Sequence, residues 1–74
     1  MHAEVRLFAT LREGRFATKH VELAAPCPVH DLLPLLNIRD AEVFLCLVNG
    51  QHSRLDRTLA DNDVVSLFPA VGGG

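Results

Sequence analysis

Three consecutive glycines at the end of the sequence, Gly72, Gly73 and Gly74, are its most distinctive candidates for chemistry. A glycine carboxylate has no β-carbon beside it, so an extended glycine segment can enter a narrow active site that any side chain would block. Such a tail would be a substrate carried by its own domain. The alternative is an inert flexible end or an expression remnant, which is the simpler interpretation of three glycines in isolation.

The other reactive side chains give weaker signals. Cys27 and His30 have the spacing of metal ligands, but structural zinc takes four ligands and no second pair follows, so we predict no metal site. Cys46 lies in an apolar run, where cysteine usually behaves as a small hydrophobic residue. No nucleophilic residue has a basic residue at a spacing that would indicate a catalytic site, and no glycine-rich phosphate-binding loop is present. We therefore predict no catalytic residues.

Size and composition narrow the class of protein. With 74 residues, 49% of them apolar and 22% charged, the sequence predicts one globular domain. The net charge of -2 and the scattered basic residues argue against a nucleic-acid partner. The two cysteines are too few for a secreted disulfide framework, and the longest apolar run is far shorter than the ~20 residues of a membrane helix. We therefore expect a cytoplasmic protein with no membrane partner.

The first third of the sequence predicts a β-hairpin. Residues Glu4–Thr10 alternate with the two-residue period of a strand, Gly14 lies in a turn, and Thr18–Leu23 alternates again. The inward positions of the first strand are predicted to be Val5, Leu7 and Ala9.

A short helix is expected next, beginning near Pro28. Its apolar stripe at helical spacing consists of Val29, Leu32, Leu33 and Leu36. Pro34 removes a helix hydrogen bond, so we expect the helix to bend or to end as a looser turn before Asn37.

Two further strands follow. The apolar run Val43–Val48 predicts a central strand, and Asn49-Gly50 predicts a hairpin after it. The segment Asp61-Asn62-Asp63 predicts a tight turn before the last strand, Val64–Phe68. This order predicts an α+β fold of the β-grasp, or ubiquitin-like, type, with a mixed sheet of four to five strands, a domain over 1–68 and an extended, flexible tail over 69–74.

Two phenylalanines are expected on the uncovered face of this sheet. If Leu7 and Leu67 face the helix, then Phe8 and Phe68 face outward, and the fold makes their strands neighbours. A shared apolar patch on a small domain is typical of a protein-binding surface. Single exposed aromatic residues are also common without a function, so both interpretations stand at this point.

Several segments, in this order and spacing, carry a resemblance to a known family: Val5–Glu13, Val29–Ile38, Val48–Gly50, Leu59–Val65 and Phe68–Gly74. Together they resemble the ubiquitin-like sulfur carriers of bacteria and archaea, the family of the small subunit of molybdopterin synthase and of the thiazole-synthesis carrier. Asn62 stands where that family usually has glycine, a mild change because asparagine tolerates a positive φ.

The resemblance implies a function for the tail. In that family a partner resembling ubiquitin-activating enzymes uses ATP to adenylate the C-terminal carboxylate, which becomes a thiocarboxylate that donates sulfur. Gly74 would be the covalent carrier, and Gly72 and Gly73 would allow the tail to be threaded. Gly73 and Gly74 match the obligatory pair, and Gly72 matches a position that often holds threonine or alanine. No cofactor is expected to be bound.

The resemblance also implies a partner-binding surface, assigned to Phe8, Phe68, Pro69, Val71 and Leu59. The partners would be the adenylyltransferase and a sulfur-acceptor synthase, such as the large subunit of molybdopterin synthase. The protein itself would be a non-catalytic carrier, at most the small, sulfur-donating subunit of that synthase.

The resemblance leaves open which enzyme accepts the sulfur. The opening segment Leu7–Glu13 looks like the molybdopterin type, whereas the short link between Ile38 and Val43 is closer to the thiazole carriers. We favour the molybdopterin branch, for a molybdenum or tungsten cofactor. The alternatives are a carrier for thiazole or another sulfur-transfer pathway, a ubiquitin-like protein modifier, and a β-grasp interaction module with an inert tail.

Overall fold

The computed structural model describes residues 1–70, which form five strands and a short helix. The elements in chain order are β1 (His2–Leu7), a 3₁₀ turn (Ala9–Arg12), β2 (Thr18–Glu22), α1 (Val29–Leu32), a 3₁₀ extension (Leu33–Leu36), a 3₁₀ turn (Asp40–Glu42), β3 (Leu45–Val48), β4 (Gln51–His52) and β5 (Asp63–Phe68). The last strand ends at Phe68.

The strands form one mixed sheet in the order β2-β1-β5-β3-β4. β1 and β5 are parallel, and the other neighbouring strands are antiparallel. This confirms the β-grasp prediction and the pairing of the first strand with the last. The helix lies in the connection that parallel pairing requires.

The position of β3 differs from the prediction. β5 is the central strand, and β3 lies between it and the two-residue edge strand β4. β3 begins only at Leu45, so Val43 and Phe44 precede it. Cys46 and Val48 are buried on one face, while Leu45 and Leu47 are half-buried on the other, which none of the elements within residues 1–70 covers.

The end of β1 also differs from the prediction. Ala9 is exposed and has a φ of 52°, because the chain turns out of the sheet into the 3₁₀ turn there. The N–H of Leu11 donates to the carbonyl of Phe8 at 3.1 Å and closes this turn. The inward positions of β1 are consequently Ala3, Val5 and Leu7, each fully buried.

The helix follows the prediction closely. Its apolar stripe is buried as a whole, and regular α-helix gives way to 3₁₀ geometry at Leu33, next to Pro34. Proline has no N–H for the helix ladder, which accounts for the change. Asn37 then ends the helix in the left-handed conformation, with a φ of 59°.

The core lies between the helix and the inner face of the sheet. Its largest fully buried side chains are Leu7, Leu32, Leu33, Leu59, Leu67, Val5, Val29, Val48 and Val65. Within the described part of the chain, the opposite face of the sheet is uncovered, so the residues on it are available to a partner.

Two predicted turns are present, and one side-chain network joins them. Asn49 and Gly50 have φ values of 53° and 81°, as the hairpin requires, and Asn62 has a φ of 68°. Asn49 Nδ2 donates to Asp63 Oδ1 at 2.9 Å, and the N–H of Ala60 donates to Asp63 Oδ2 at 2.7 Å. These bonds hold the start of β5 against the β3–β4 hairpin.

The carboxylate of Asp63 makes stability depend on pH. The bond from the N–H of Ala60 and then the bond from Asn49 lower the pKa of Asp63. The folded-state pKa of Asp63 therefore lies below the unfolded value of about 3.9. The contribution of the carboxylate to the free energy of unfolding is complete above the unfolded value and is lost as pH falls through the folded-state pKa. We expect Asp63→Asn to lower the free energy of unfolding by about 1–3 kcal/mol at pH 7.

Urea denaturation at pH 7 and at progressively lower pH tests this, because the protonated aspartic acid and the asparagine carry the same charge once the pH falls below the folded-state pKa of Asp63. The difference between the wild type and the variant should shrink as the pH is lowered. An equal difference at every pH would contradict the role of the ionised carboxylate.

Candidate functional site

Phe8 and Phe68 form a stacked aromatic pair on the open face of the sheet. Their ring centroids lie 4.3 Å apart and their planes are inclined by 10°. Both side chains are half-buried. The parallel register that places Leu7 opposite Leu67 brings the two rings together at the ends of β1 and β5. The predicted shared apolar patch is therefore present.

Neighbouring side chains extend this apolar area across the sheet. Leu45 is directly opposite Phe68 in the β3–β5 ladder, and Leu47 is opposite Ser66. Both leucines are half-buried, on the same face as the aromatic pair. We call Phe8, Phe68, Leu45 and Leu47 the docking surface. A contiguous apolar surface of this kind is typical of protein–protein contacts.

A positive charge lies at the edge of the docking surface. The guanidinium carbon of Arg12 is 5.6 Å from the centroid of the Phe8 ring, within cation–π distance. Arg12 Nε also donates to the carbonyl of Leu7 at 2.8 Å, which fixes the side chain in this place. Arg12 is exposed, so a partner that covers Phe8 also meets this cation.

Phe44 is a surface residue that the sequence pattern did not reveal. It is 73% exposed, and its N–H donates to the carbonyl of Phe68 at 2.8 Å. Counting back in steps of two from the buried Val48 and Cys46 places Phe44 inside, but the strand begins one residue after it. Phe44 thus adds an exposed aromatic ring next to the end of β5.

The prediction that Leu59 binds a partner is wrong for this structure. Leu59 is 1% exposed and belongs to the hydrophobic core. Its N–H donates to the carbonyl of Cys27 at 2.9 Å, and Thr58 forms an isolated bridge with Pro28. These bonds tie the loop before β5 to the start of the helix and turn the leucine inward.

The chain leaves the sheet directly beside the aromatic pair. β5 ends at Phe68, and Pro69, which has no N–H for the ladder, is half-buried. Ala70 is exposed. Four residues with predicted roles lie outside the described residues: Val71 for partner binding, Gly72 and Gly73 for threading, and Gly74 as the carrier. The aromatic pair therefore marks the root of the segment to which the chemistry was assigned.

The two thiols are protonated at neutral pH. Burial raises the pKa of Cys46, which is 3% exposed, and burial followed by the nearby charge of Asp31 raises the pKa of Cys27. Neither is poised as a thiolate nucleophile. His30 is paired with Asp40 (Nδ1 to Oδ2, 2.8 Å), and residues 1–70 contain no group of three potential metal ligands brought together.

Comparison with known proteins places these features in a family. The model of the ThiS family matches residues 5–74, which include the docking surface and the terminal glycines. The chain belongs to the ThiS family. A search among curated protein sequences gave no match.

Solved structures of similar proteins agree with this membership. Small archaeal modifier protein 1 of Haloferax volcanii has 28% identity and a TM-score of 0.76, over 95% of this chain and 98% of that one. A molybdopterin converting factor subunit 1 candidate of Pyrococcus furiosus has 28% identity and a TM-score of 0.75, over 96% and 99%.

A third neighbour comes from a complex. It is a chain of the complex of subunits 1 and 2 of molybdopterin-converting factor from Helicobacter pylori, with 26% identity, a TM-score of 0.67 and full coverage of both chains. This ThiS-family chain therefore has the fold of the ubiquitin-like sulfur carriers. In the described part of the chain, 1–70, no helix has the length and apolar character needed to cross a membrane.

Proposed function

We propose that this ThiS-family protein carries sulfur on its C-terminal glycine. A carboxylate oxygen of Gly74 attacks the α-phosphorus of ATP, which forms an acyl-adenylate and releases pyrophosphate. A sulfide nucleophile then attacks the acyl carbon and displaces AMP, leaving a thiocarboxylate. The observation that carries the proposal is the family match through Gly74, combined with an apolar docking surface at the root of the same segment.

The proposal divides the work between two proteins. The docking surface supplies recognition, since aromatic side chains in a contiguous apolar area contribute most to binding energy. The partner, an adenylyltransferase of the ubiquitin-activating type, supplies the ATP site and the catalytic groups. Arg12 adds a charge that an acidic side chain of that partner can meet.

The favoured sulfur acceptor is the large subunit of molybdopterin synthase, for a molybdenum or tungsten cofactor, in the cytoplasm. Two observations support this branch. The Pyrococcus and Helicobacter neighbours carry the name of molybdopterin-converting factor, and the Helicobacter one is in complex with its second subunit. A carrier for thiazole synthesis is the closest alternative, because the matching family is the ThiS family.

A protein modifier is a second candidate. The Haloferax neighbour is called a small archaeal modifier protein and is as similar to this chain as the Pyrococcus one. The same adenylated Gly74 would then be transferred to a lysine amine, with formation of an isopeptide bond. Conjugates that disappear when Gly74 is deleted would support this use of the tail.

The first test is ATP–pyrophosphate exchange with an adenylyltransferase of the ubiquitin-activating type from the same organism. We expect exchange that depends on both proteins; its absence would leave the inert interaction module. The sulfur-loaded carrier is then mixed separately with molybdopterin synthase large subunit and with thiazole synthase. Transfer to the first alone supports the favoured branch, and transfer to the second alone replaces it.

A further inference from the structure

Arg15 joins three segments near the point where the chain leaves the sheet. Its Nη1 donates to the carbonyl of Leu11 at 3.1 Å, and its Nη2 donates to the carbonyl of Asn37 at 2.8 Å. The same Nη2 lies 3.5 Å from Oε2 of Glu42. The Arg15 side chain is 19% exposed, and its bond to Leu11 is partly buried. One guanidinium thus connects the β1–β2 loop, the helix end and the turn before β3.

The contact with Leu11 fixes the loop that supports one part of the docking surface. The N–H of Leu11 donates to the carbonyl of Phe8, and the N–H of Arg15 donates to that of Arg12 at 2.9 Å. Arg12 in turn lies over the Phe8 ring. Holding Leu11 therefore holds the turn from which Phe8 and Arg12 project.

The contact with Glu42 fixes the turn that leads to Phe44. Glu42 Oε1 accepts the N–H of Arg39 at 3.0 Å, which closes the 3₁₀ turn Asp40–Glu42. The N–H of Val43 donates to the carbonyl of Asp40, and the N–H of Phe44 donates to the carbonyl of Phe68. Movement of this turn would therefore displace the exposed Phe44 ring relative to Phe68.

The two segments meet at a groove beside the root of the tail. Thr10 and Leu11 from the loop and Glu42 from the turn line this groove together with Pro69 and Ala70. Arg15 lines it as well, and its contacts cross from the loop to the turn. A change in Arg15 would therefore affect both sides of the groove.

We infer that Arg15 is a positioning residue for the activating partner: it sets the separation of the loop bearing Phe8 and Arg12 from the turn bearing Phe44, on both sides of the tail root. The inference rests on the proposed function, in which a partner binds this region and takes up the tail. Arg15 acts through these two segments. Lysine cannot replace it fully, because a single ammonium lacks the planar fork that reaches several acceptors at once.

Steady-state ATP–pyrophosphate exchange at a temperature where every variant is folded provides the test. Arg15→Ala should raise KM for the carrier about tenfold, equivalent to ~1.4 kcal/mol, with kcat unchanged. Arg15→Lys should lie between this variant and the wild type. Arg39→Ala is the matched control, since Arg39 is 85% exposed and contacts the same carboxylate (Nε to Glu42 Oε1, 3.3 Å) without joining separate segments. It should leave KM unchanged.

Amide hydrogen exchange gives a readout that needs no partner. In Arg15→Ala the amides of Leu11 and Phe44 should exchange faster, whereas in Arg39→Ala they should not. If the wild type is active and the Arg15→Ala and Arg39→Ala variants have equal KM values, the positioning role is overturned and the carrier function stays intact. A wild type that supports no pyrophosphate exchange would overturn both, even if the hydrogen-exchange difference were found.

Discussion

Deletion of Gly74 is expected to abolish adenylation and thiocarboxylate formation, and Gly74→Ala is expected to do the same. Deletion leaves the terminal carboxylate on Gly73, about 3.5 Å short of the position that the partner must reach, and alanine adds a β-carbon to the residue that bears the carboxylate. Stability should not change, because the hydrophobic core and all five strands lie before Pro69. Pyrophosphate exchange and intact mass measure the chemistry, and urea denaturation measures the folding.

Gly72→Ala is the matched control for this prediction. It adds the same methyl group two residues earlier, at the position where the resembling family often has threonine or alanine. We expect it to retain most of the adenylation activity. Normal thiocarboxylate formation by the Gly74 variants would contradict the mechanism, whereas equal loss in Gly72→Ala would show that threading tolerates no side chain along the glycine run.

Replacing Phe68 by alanine should weaken binding of the activating partner by about 30-fold, equivalent to ~2 kcal/mol, the size typical of a central aromatic contact. The loss has two parts: the partner loses an aromatic contact, and Phe8 loses the ring stacked against it at 4.3 Å. The free energy of unfolding should fall by only about 1 kcal/mol, because Phe68 is half-buried on the open face. Affinity is measured by titration calorimetry and stability by urea denaturation.

Two leucine variants serve as controls for Phe68. Leu35 is 65% exposed on the helix side, away from the docking surface, so Leu35→Ala should change neither quantity appreciably. Leu59 is 1% exposed, so Leu59→Ala should lower the free energy of unfolding by about 2–5 kcal/mol. A large stability loss in Phe68→Ala with unchanged affinity would assign Phe68 to the core.

Local signals in the sequence were sufficient for most of the fold. Asn49-Gly50 and Asn62 have the positive φ values that their turns require, and Pro34 lies where the α-helix becomes 3₁₀. Alternation along β1 and β5 correctly separated the inward leucines from the outward phenylalanines. These features depend on a residue and its near neighbours, which is why they can be read from one sequence.

The features that were missed depend on contacts between distant segments. Leu59 is buried because its loop is bonded to Cys27 at the start of the helix. Phe44 is exposed because β3 begins after it, at the residue paired with Phe68. Arg15 gave no signal in its own segment, since two of its three acceptors belong to the helix end and to the turn before β3. Periodicity within a segment contains no information about such partners.

The most direct test of the carrier mechanism is mass spectrometry of the protein after incubation with the adenylyltransferase, ATP and a sulfide source. We expect the intact mass to increase by the replacement of one oxygen with one sulfur. Fragmentation should place that sulfur on Gly74. An unchanged mass in the presence of an active partner, or sulfur located on Cys27 or Cys46 instead, would contradict the account.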